Sequence, residues 1–280
     1  MARQIRDMVV VITGASAGIG RALSIELARR GARLVLAARR LDRLAELCVT
    51  LSGEHLPVQA DVADPAACAS LIARASEKFG RIDTLVCNAG YGLGRSVAQT
   101  SHEQWQQIIA TNVFGTTDCI QAAVPIMQAQ ALRDGWRGQV MIVSSSIARR
   151  GIPFMGAYAA TKAAQLSLAE AMRVELKPAR IAVTTVHPIG TATDFFTTAA
   201  SLSRSPVRPH GYTQSVEVVA RTMARAIMRP RPELWPMGLS RIGLNLSVFL
   251  PGLTDFFLGR MRDEFAARAQ KAIPPPSEEH

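Results

Sequence analysis

The turn Thr13-Gly14-Ala15-Ser16-Ala17-Gly18-Ile19-Gly20 joins an apolar run, Met8–Ile12, to a stretch of helical periodicity. This turn limits the possible folds more than any other feature. Glycines permit a tight reversal and close approach of a ligand. The helix that follows offers unpaired N–H groups and the positive end of its dipole to an anion. A buried strand running through such a turn into a helix is the first half of a βαβ unit, so other strands must lie beside it. The spacing is T-G-x-x-x-G-x-G, not the more general G-x-G-x-x-G. Gly14, Ser16, Gly18, Ile19 and Gly20 become candidate contacts to a pyrophosphate.

The rest of the chain supplies those strands. Short apolar runs at Leu34–Ala37, Leu56–Ala60, Asp83–Cys87, Gln139–Ser144 and Ile181–Val186 alternate with helical patterns. The helices are expected at Gly18–Arg30, Leu41–Leu51, Pro65–Phe79, after Ser101, and at Gly156–Leu176. Continuous apolar strands separated by helices imply a parallel sheet covered on both faces. The expected class is therefore α/β, a doubly wound, Rossmann-like parallel sheet in one domain. That domain spans residues 1–236, with a last short strand at Glu233–Trp235 and an irregular substrate flap at 190–214. An apolar helical tail, 237–280, follows and ends in a disordered-looking PPPSEEH.

Composition excludes several alternatives. The net charge is +10 and the pI about 10.3, which raises nucleic acid as a partner. However, the 28 Arg and 4 Lys are scattered and aromatics are only 5%, so no nucleic acid is expected. Cys48, Cys68, Cys87 and Cys119 show no metal-ligand spacing. No metal is expected, and the thiols read as small buried hydrophobes in a reducing compartment. No uncharged apolar run reaches roughly 18 residues, and the first residues lack a cleavage pattern, so the expected location is cytoplasmic.

The end of the second strand reads Ala37-Ala38-Arg39-Arg40. A site for NAD usually places an acid about 20 residues after the glycine turn, to bond the ribose 2′-hydroxyl. Here Arg39 and Arg40 stand 19 and 20 residues after Gly20, with no acid. A guanidinium pairs well with a 2′-phosphate, so the expected cofactor is NADP(H).

Tyr158 and Lys162 lie four apart in an expected helix and so project from one face. An ammonium beside a phenol favours the phenolate and should bring its pKa down from near 10, towards that of a working acid/base. Ser145, 13 residues earlier, closes a strand at the edge where ligands bind in open α/β sheets. His187 reads as a structural strand-end histidine, because Tyr158 already fills the acid/base role.

Taken together, Thr13–Gly20, Asp61-Val62, Asn88-Ala89-Gly90, Asn112, Ser145 and Tyr158-Ala159-Ala160-Thr161-Lys162 resemble the short-chain dehydrogenase/reductase family over roughly residues 8–236. The resemblance implies that Tyr158 protonates a carbonyl oxygen during hydride transfer, held near it by Ser145. Lys162 would also bind the nicotinamide ribose, and Asn112 would carry a water that relays protons to Lys162. Asp61 and Val62 would meet the adenine, and Asn88, Ala89 and Gly90 the adenosine ribose. Pro188, Gly190, Thr191 and Thr193 would approach the carboxamide, although Ile189 replaces a glycine of the family pattern. A homodimer or homotetramer built on the two long central helices is also implied.

Phe195, Phe196, Leu202 and Pro206 in the flap suggest closure over a hydrophobic ketone, aldehyde or alcohol, while Arg204 and Arg208 could meet an anionic group. In the tail, Leu239, Ile242, Leu246, Phe249, Leu250, Leu253, Phe256 and Phe257 recur at helical spacing. Either this stripe packs on the domain, the pocket or a second subunit, or 237–262 lies in a membrane interface as a peripheral contact. The main alternative function is an NADP(H)-binding regulatory protein without turnover. A longer-branch epimerase or dehydratase would need a different glycine spacing and a larger substrate domain.

Overall fold

The computed structural model describes residues 2–190, 214–260 and 262. Seven strands form one parallel sheet: β1 (Val9–Thr13), β2 (Arg33–Ala38), β3 (His55–Gln59), β4 (Thr84–Cys87), β5 (Gly138–Val143), β6 (Ile181–Val186) and β7 (Glu233–Leu234). Their order is β3-β2-β1-β4-β5-β6-β7, so the winding reverses between β1 and β4. All five β1 residues are buried. Val10 and Ile12 join one core layer and Val11 the other, as the strand's two-residue period requires. The register is continuous, with Val10 opposite Leu34 of β2 and Thr84 of β4.

Helices α1 (Gly18–Ala28) and α2 (Leu41–Thr50) pack on one face with a helix at Val216–Met228. On the other face lie α3 (Pro65–Phe79), a helix at Gly115–Ala129 and one at Gly156–Glu175. Local chemistry sets their ends. Asp64 caps α3 by accepting from Ala66 N, Pro65 occupies its first turn, and Gly80 ends it at φ +72°. Ser101 and Gln104 form a reciprocal capping box on α4 (His102–Ile109).

The structure differs from expectation in two elements. The helix after Ser101 is not uniform: α4 runs into a π-turn at Ala110–Phe114 before α5 (Gly115–Ala129) resumes. The helix that follows β5 is α6 (Gly156–Glu175), as expected. Helix α7 (Val216–Met228), capped by Ser215, was not anticipated and completes the first face. At the amino edge of the sheet, buried Arg3 donates to Gln139 Oε1 at 3.0 Å and to the Asp83 carbonyl at 2.9 Å. These bonds tie the amino-terminal segment beneath β4 and β5.

The described part of the tail forms α8 (Gly238–Phe249) and α9 (Pro251–Arg260), bent 113° from one another. Among the described residues no single helix is long and apolar enough to cross a membrane. The flap residues 191–213, and with them Thr191, Thr193, Phe195, Phe196, Leu202, Arg204, Pro206 and Arg208, lie outside the described residues, as does the chain after Arg262.

Candidate active site

The reversal of strand order opens a crevice at the carboxyl ends of β1 and β4, where the glycine turn sits. Gly14 and Gly18 adopt φ +66° and +54°, values an L side chain rarely takes. A Cβ on Gly20 would meet the Gly14 carbonyl oxygen at 2.4 Å, and one on Gly90 would meet Asn112 Oδ1 at 2.9 Å. Asn88 braces the turn instead of reaching outward: its Nδ2 donates to the carbonyls of Thr13 at 2.9 Å and Gly14 at 3.2 Å. The backbone N–H groups of Asn88 and Ala89 both donate to Thr13 Oγ1 at 3.0 Å.

Helix α1 has no side-chain cap, because Ala17 precedes it, and no acid in its first turn. Its leading N–H groups therefore suit a phosphate. Arg39 and Arg40 are exposed at the end of β2, and Arg40 Nη2 lies 3.4 Å from Ser16 Oγ in the turn. The donor set fits a dinucleotide with its pyrophosphate at Gly14–Gly20 and a 2′-phosphate beside the two arginines. Asp61 is exposed and takes the Ala63 N–H on Oδ1 at 3.0 Å. The Val62 side chain is core, so only its backbone can meet a ligand.

Strand β5 and helix α6 bring Ser145, Tyr158 and Lys162 together. Of the three adjacent serines, Ser144 is buried and donates to the Lys162 carbonyl at 2.9 Å, while the Ser146 N–H donates to the Pro188 carbonyl at 3.0 Å. Ser145 is the one that hydrogen-bonds the Tyr158 hydroxyl. Lys162 Nζ lies 5.6 Å from the Tyr158 ring centroid.

Tyr158 packs among Leu93, Ile108 and Ala157, with Tyr91, Trp105, Ile147 and Met155 around them. This apolar wall was not singled out from the sequence, because it gathers from four separate segments. It also reverses the expected pKa balance. Burial pushes the Tyr158 phenol up to about 12, and the Ser145 bond only partly opposes it. Lys162 is desolvated as well and is pushed down to about 7. Above that value Lys162 gives up its proton and carries no charge with which to depress the phenol.

Asn112 occupies the π-turn and is buried there. Its side chain is held at both ends: Oδ1 accepts from Tyr91 N at 3.0 Å, and Nδ2 donates to the Tyr91 carbonyl at 2.9 Å and to Thr161 Oγ1 at 3.0 Å. Its carbonyl accepts from Gln165 Nε2 at 2.6 Å and Thr116 Oγ1 at 2.9 Å. A carbonyl has two lone pairs, so both are taken. The amide of Gln165 joins this carbonyl to the catalytic helix, since its Oε1 accepts from Lys162 Nζ at 2.9 Å. Lys162 also donates to the Val143 carbonyl at 2.9 Å. Gln165 was missed because nothing in the sequence signals that a helical glutamine three residues past Lys162 is fully buried.

His187 has both ring nitrogens engaged, on the Ser145 carbonyl and Thr185 Oγ1 at 3.1 Å each, and stacks on Trp235 at 4.3 Å. It is a strut beneath Ser145. The Gly190 carbonyl accepts from Gln214 N at 2.9 Å, which joins the two borders of the flap.

Comparison with known proteins gives a consistent pattern. Residues 8–202 match the short chain dehydrogenase family. An uncharacterized oxidoreductase of Listeria innocua is 31% identical over 234 residues, 81% of this chain and 92% of that protein. A glycine betaine reductase of Emericella nidulans is 32% identical over 230 residues, 79% of this chain, yet the match spans only 18% of its length. The fold superposes with TM-score 0.79 and 25% identity on a short chain dehydrogenase/reductase of Burkholderia phymatum in complex with NAD, covering 90% of this chain and 96% of that one. An alcohol dehydrogenase of the archaeon Thermococcus sibiricus, complexed with 5-hydroxy-NADP, superposes with TM-score 0.70 and 27% identity over 82% of this chain and 96% of that one.

Proposed function

The chain belongs to the short-chain dehydrogenase family, and we propose that it is an NADP(H)-dependent oxidoreductase interconverting a carbonyl and a primary or secondary alcohol on a hydrophobic substrate. The observation that carries this reading is the grouping of half-buried Ser145 with buried Tyr158 and Lys162 at the carboxyl edge of β5, beside the glycine turn. The bound nicotinamide would supply or accept the hydride.

The chain's own groups do the rest. Ser145 Oγ and Tyr158 Oη are hydrogen-bonded partners, so one substrate oxygen can meet both hydroxyls. In reduction, Tyr158 gives its proton to that oxygen as the carbonyl carbon becomes an alcohol carbon. Lys162, below the ring and close to neutrality in its proton affinity, is suited to return the proton to the phenolate. In oxidation the same proton moves in reverse. The apolar wall of Tyr91, Trp105, Ile147 and Met155 keeps water from the site and supports a hydrophobic substrate.

The NADP(H) preference rests on Arg39 and Arg40 and on the missing acid at the end of β2. The fold alone does not choose, since one structural neighbour holds NAD and the other an NADP analogue. A homodimer or homotetramer through α5 and α6 is part of the proposal, and exposed Phe114, just before α5, and exposed Val174 on α6 support it.

The test is NADPH oxidation with a panel of hydrophobic ketones and aldehydes, using wild type and Tyr158→Phe. Turnover should fall by about 100- to 10,000-fold in the variant while nucleotide binding is kept. Near-native turnover in Tyr158→Phe would refute the mechanism. Nucleotide binding without turnover of any carbonyl in the wild type would favour the non-catalytic alternative.

A further inference from the structure

Helices α8 and α9 carry their apolar residues on the outside. Ile242, Leu246, Val248 and Phe249 of α8 are 54–80% exposed, as are Leu253, Phe256 and Phe257 of α9 at 53–56%, with Leu250 between the helices at 51%. Among the described side chains of α8, the buried one is polar: Ser247, at 8%. Its hydroxyl is satisfied by the Leu244 carbonyl at 2.6 Å. A helix on the surface of a water-soluble domain shows the opposite arrangement, with its apolar stripe inward. An exposed apolar patch of this size marks a docking face.

The charges around the face identify its occupant. Between residues 237 and 262 the basic residues are Arg241, Arg260 and Arg262, and Asp255 is the one acid. Asp255 is paired with Arg150, so it does not offset the arginines. Arg229 and Arg231 lie just upstream with Glu233, which is paired with Arg149, Asp263 and Glu264 follow Arg262, and the whole chain carries +10. The Arg260 guanidinium carbon lies over the Phe256 ring, 4.4 Å from its centroid, so a cation and an aromatic face share this end of the patch. An apolar centre rimmed by arginines complements an anionic bilayer surface, where acyl chains take the phenylalanines and headgroup phosphates take the guanidinia. The 113° bend makes a straight crossing impossible and suits two short helices lying in the plane of the interface. A second copy of this chain would bring five or more arginines against its own, which opposes it as occupant.

We propose that α8 and α9 form a peripheral docking face for anionic membrane, with Phe249, Leu253, Phe256 and Phe257 at its apolar centre. The face adjoins the site. Helix α8 packs on the turn Ser146–Ala148 that follows Ser145, and Arg150, just after that turn, holds α9 through Asp255. A hydrophobic substrate dissolved in the lipid would then meet the enzyme on the side that carries Ser145.

The test is flotation of the full-length protein with vesicles of phosphatidylcholine alone and with about 30% phosphatidylserine, at low and high salt. The proposal expects flotation with the anionic vesicles, reduced by salt and by alkaline carbonate. Replacing Phe249, Phe256 and Phe257 by Ser should weaken partitioning by about 100-fold or more. These side chains are exposed, so retained nucleotide binding and an unchanged melting temperature should accompany the loss. Two results would overturn the proposal: equal flotation of the triple variant, or no flotation of the wild type, whether alone or together with a wild-type oligomer that the triple substitution dissociates. The last would assign the face to a contact between copies.

Discussion

Replacing Gln165 with Leu tests whether the amide sets the proton affinity of Lys162. Leu is close in volume and leaves the apolar packing of α6 intact, but removes three bonds. Lys162 Nζ loses an acceptor at 2.9 Å and keeps only the Val143 carbonyl among those described. The Asn112 carbonyl keeps its bond from Thr116, so it loses less. A hydrogen bond to a charged group contributes about 1.5–3 kcal/mol, and 1.36 kcal/mol corresponds to about tenfold in proton affinity. The loss should therefore lower the proton affinity of Lys162 about 10- to 100-fold below its present midpoint of about 7. Gln165→Glu places a carboxylate on the same ammonium and should move the midpoint the other way. The chain has only four lysines, so selective labelling lets NMR follow Lys162 directly, with Lys162→Met to identify its signal. The lower limb of the kcat/KM profile should move with it. An unchanged midpoint in both variants would refute the amide's role.

Other predictions follow from the same geometry. Gly20→Ala puts a methyl against the Gly14 carbonyl, which cannot move without disturbing the turn; it should lower stability by about 1–3 kcal/mol and weaken nucleotide binding, measured by melting temperature and titration. Arg39→Asp should raise KM for NADPH far more than for NADH, and equal effects on both would remove Arg39 from 2′-phosphate recognition. Lys162 has a folded pKa near 7, below its unfolded value of 10.5, so the unfolded chain binds more protons between those limits. Its burial therefore costs stability fully below pH 7, and the cost is relieved as pH rises towards 10.5. Wild type should gain stability over Lys162→Met across that window in denaturant titrations of the nucleotide-free protein, and parallel curves would contradict it.

Much of this arrangement was legible in the sequence, because strand–helix alternation and the glycine turn are local signals. The strands fell within a residue or two of expectation: β5 at Gly138–Val143 against an expected Gln139–Ser144, for example. Helix α7 had a readable cue in Ser215 and the spacing of Val219, Met223 and Ile227, but it was masked by the irregular composition before it. The π-turn had no local cue. Of the two bonds its Asn112 carbonyl accepts, the one from Thr116 is local, but the one from Gln165 is made only after α6 packs. The Tyr158–Lys162 spacing was visible, but the direction of their pKa shifts was not, because desolvation depends on residues as distant as Leu93 and Ile108. The apolar periodicity of the tail was equally visible, but sequence periodicity alone does not tell which face turns to the domain.

The proposed NADP(H) preference rests on the glycine turn and on Arg39 and Arg40, which follow β2. Titration of the purified protein with NADPH and with NADH, followed by nicotinamide fluorescence, tests it most directly. The account predicts tight binding of NADPH and markedly weaker binding of NADH. Preference for NADH would contradict the reading of Arg39 and Arg40, and binding of neither would contradict the cofactor assignment itself.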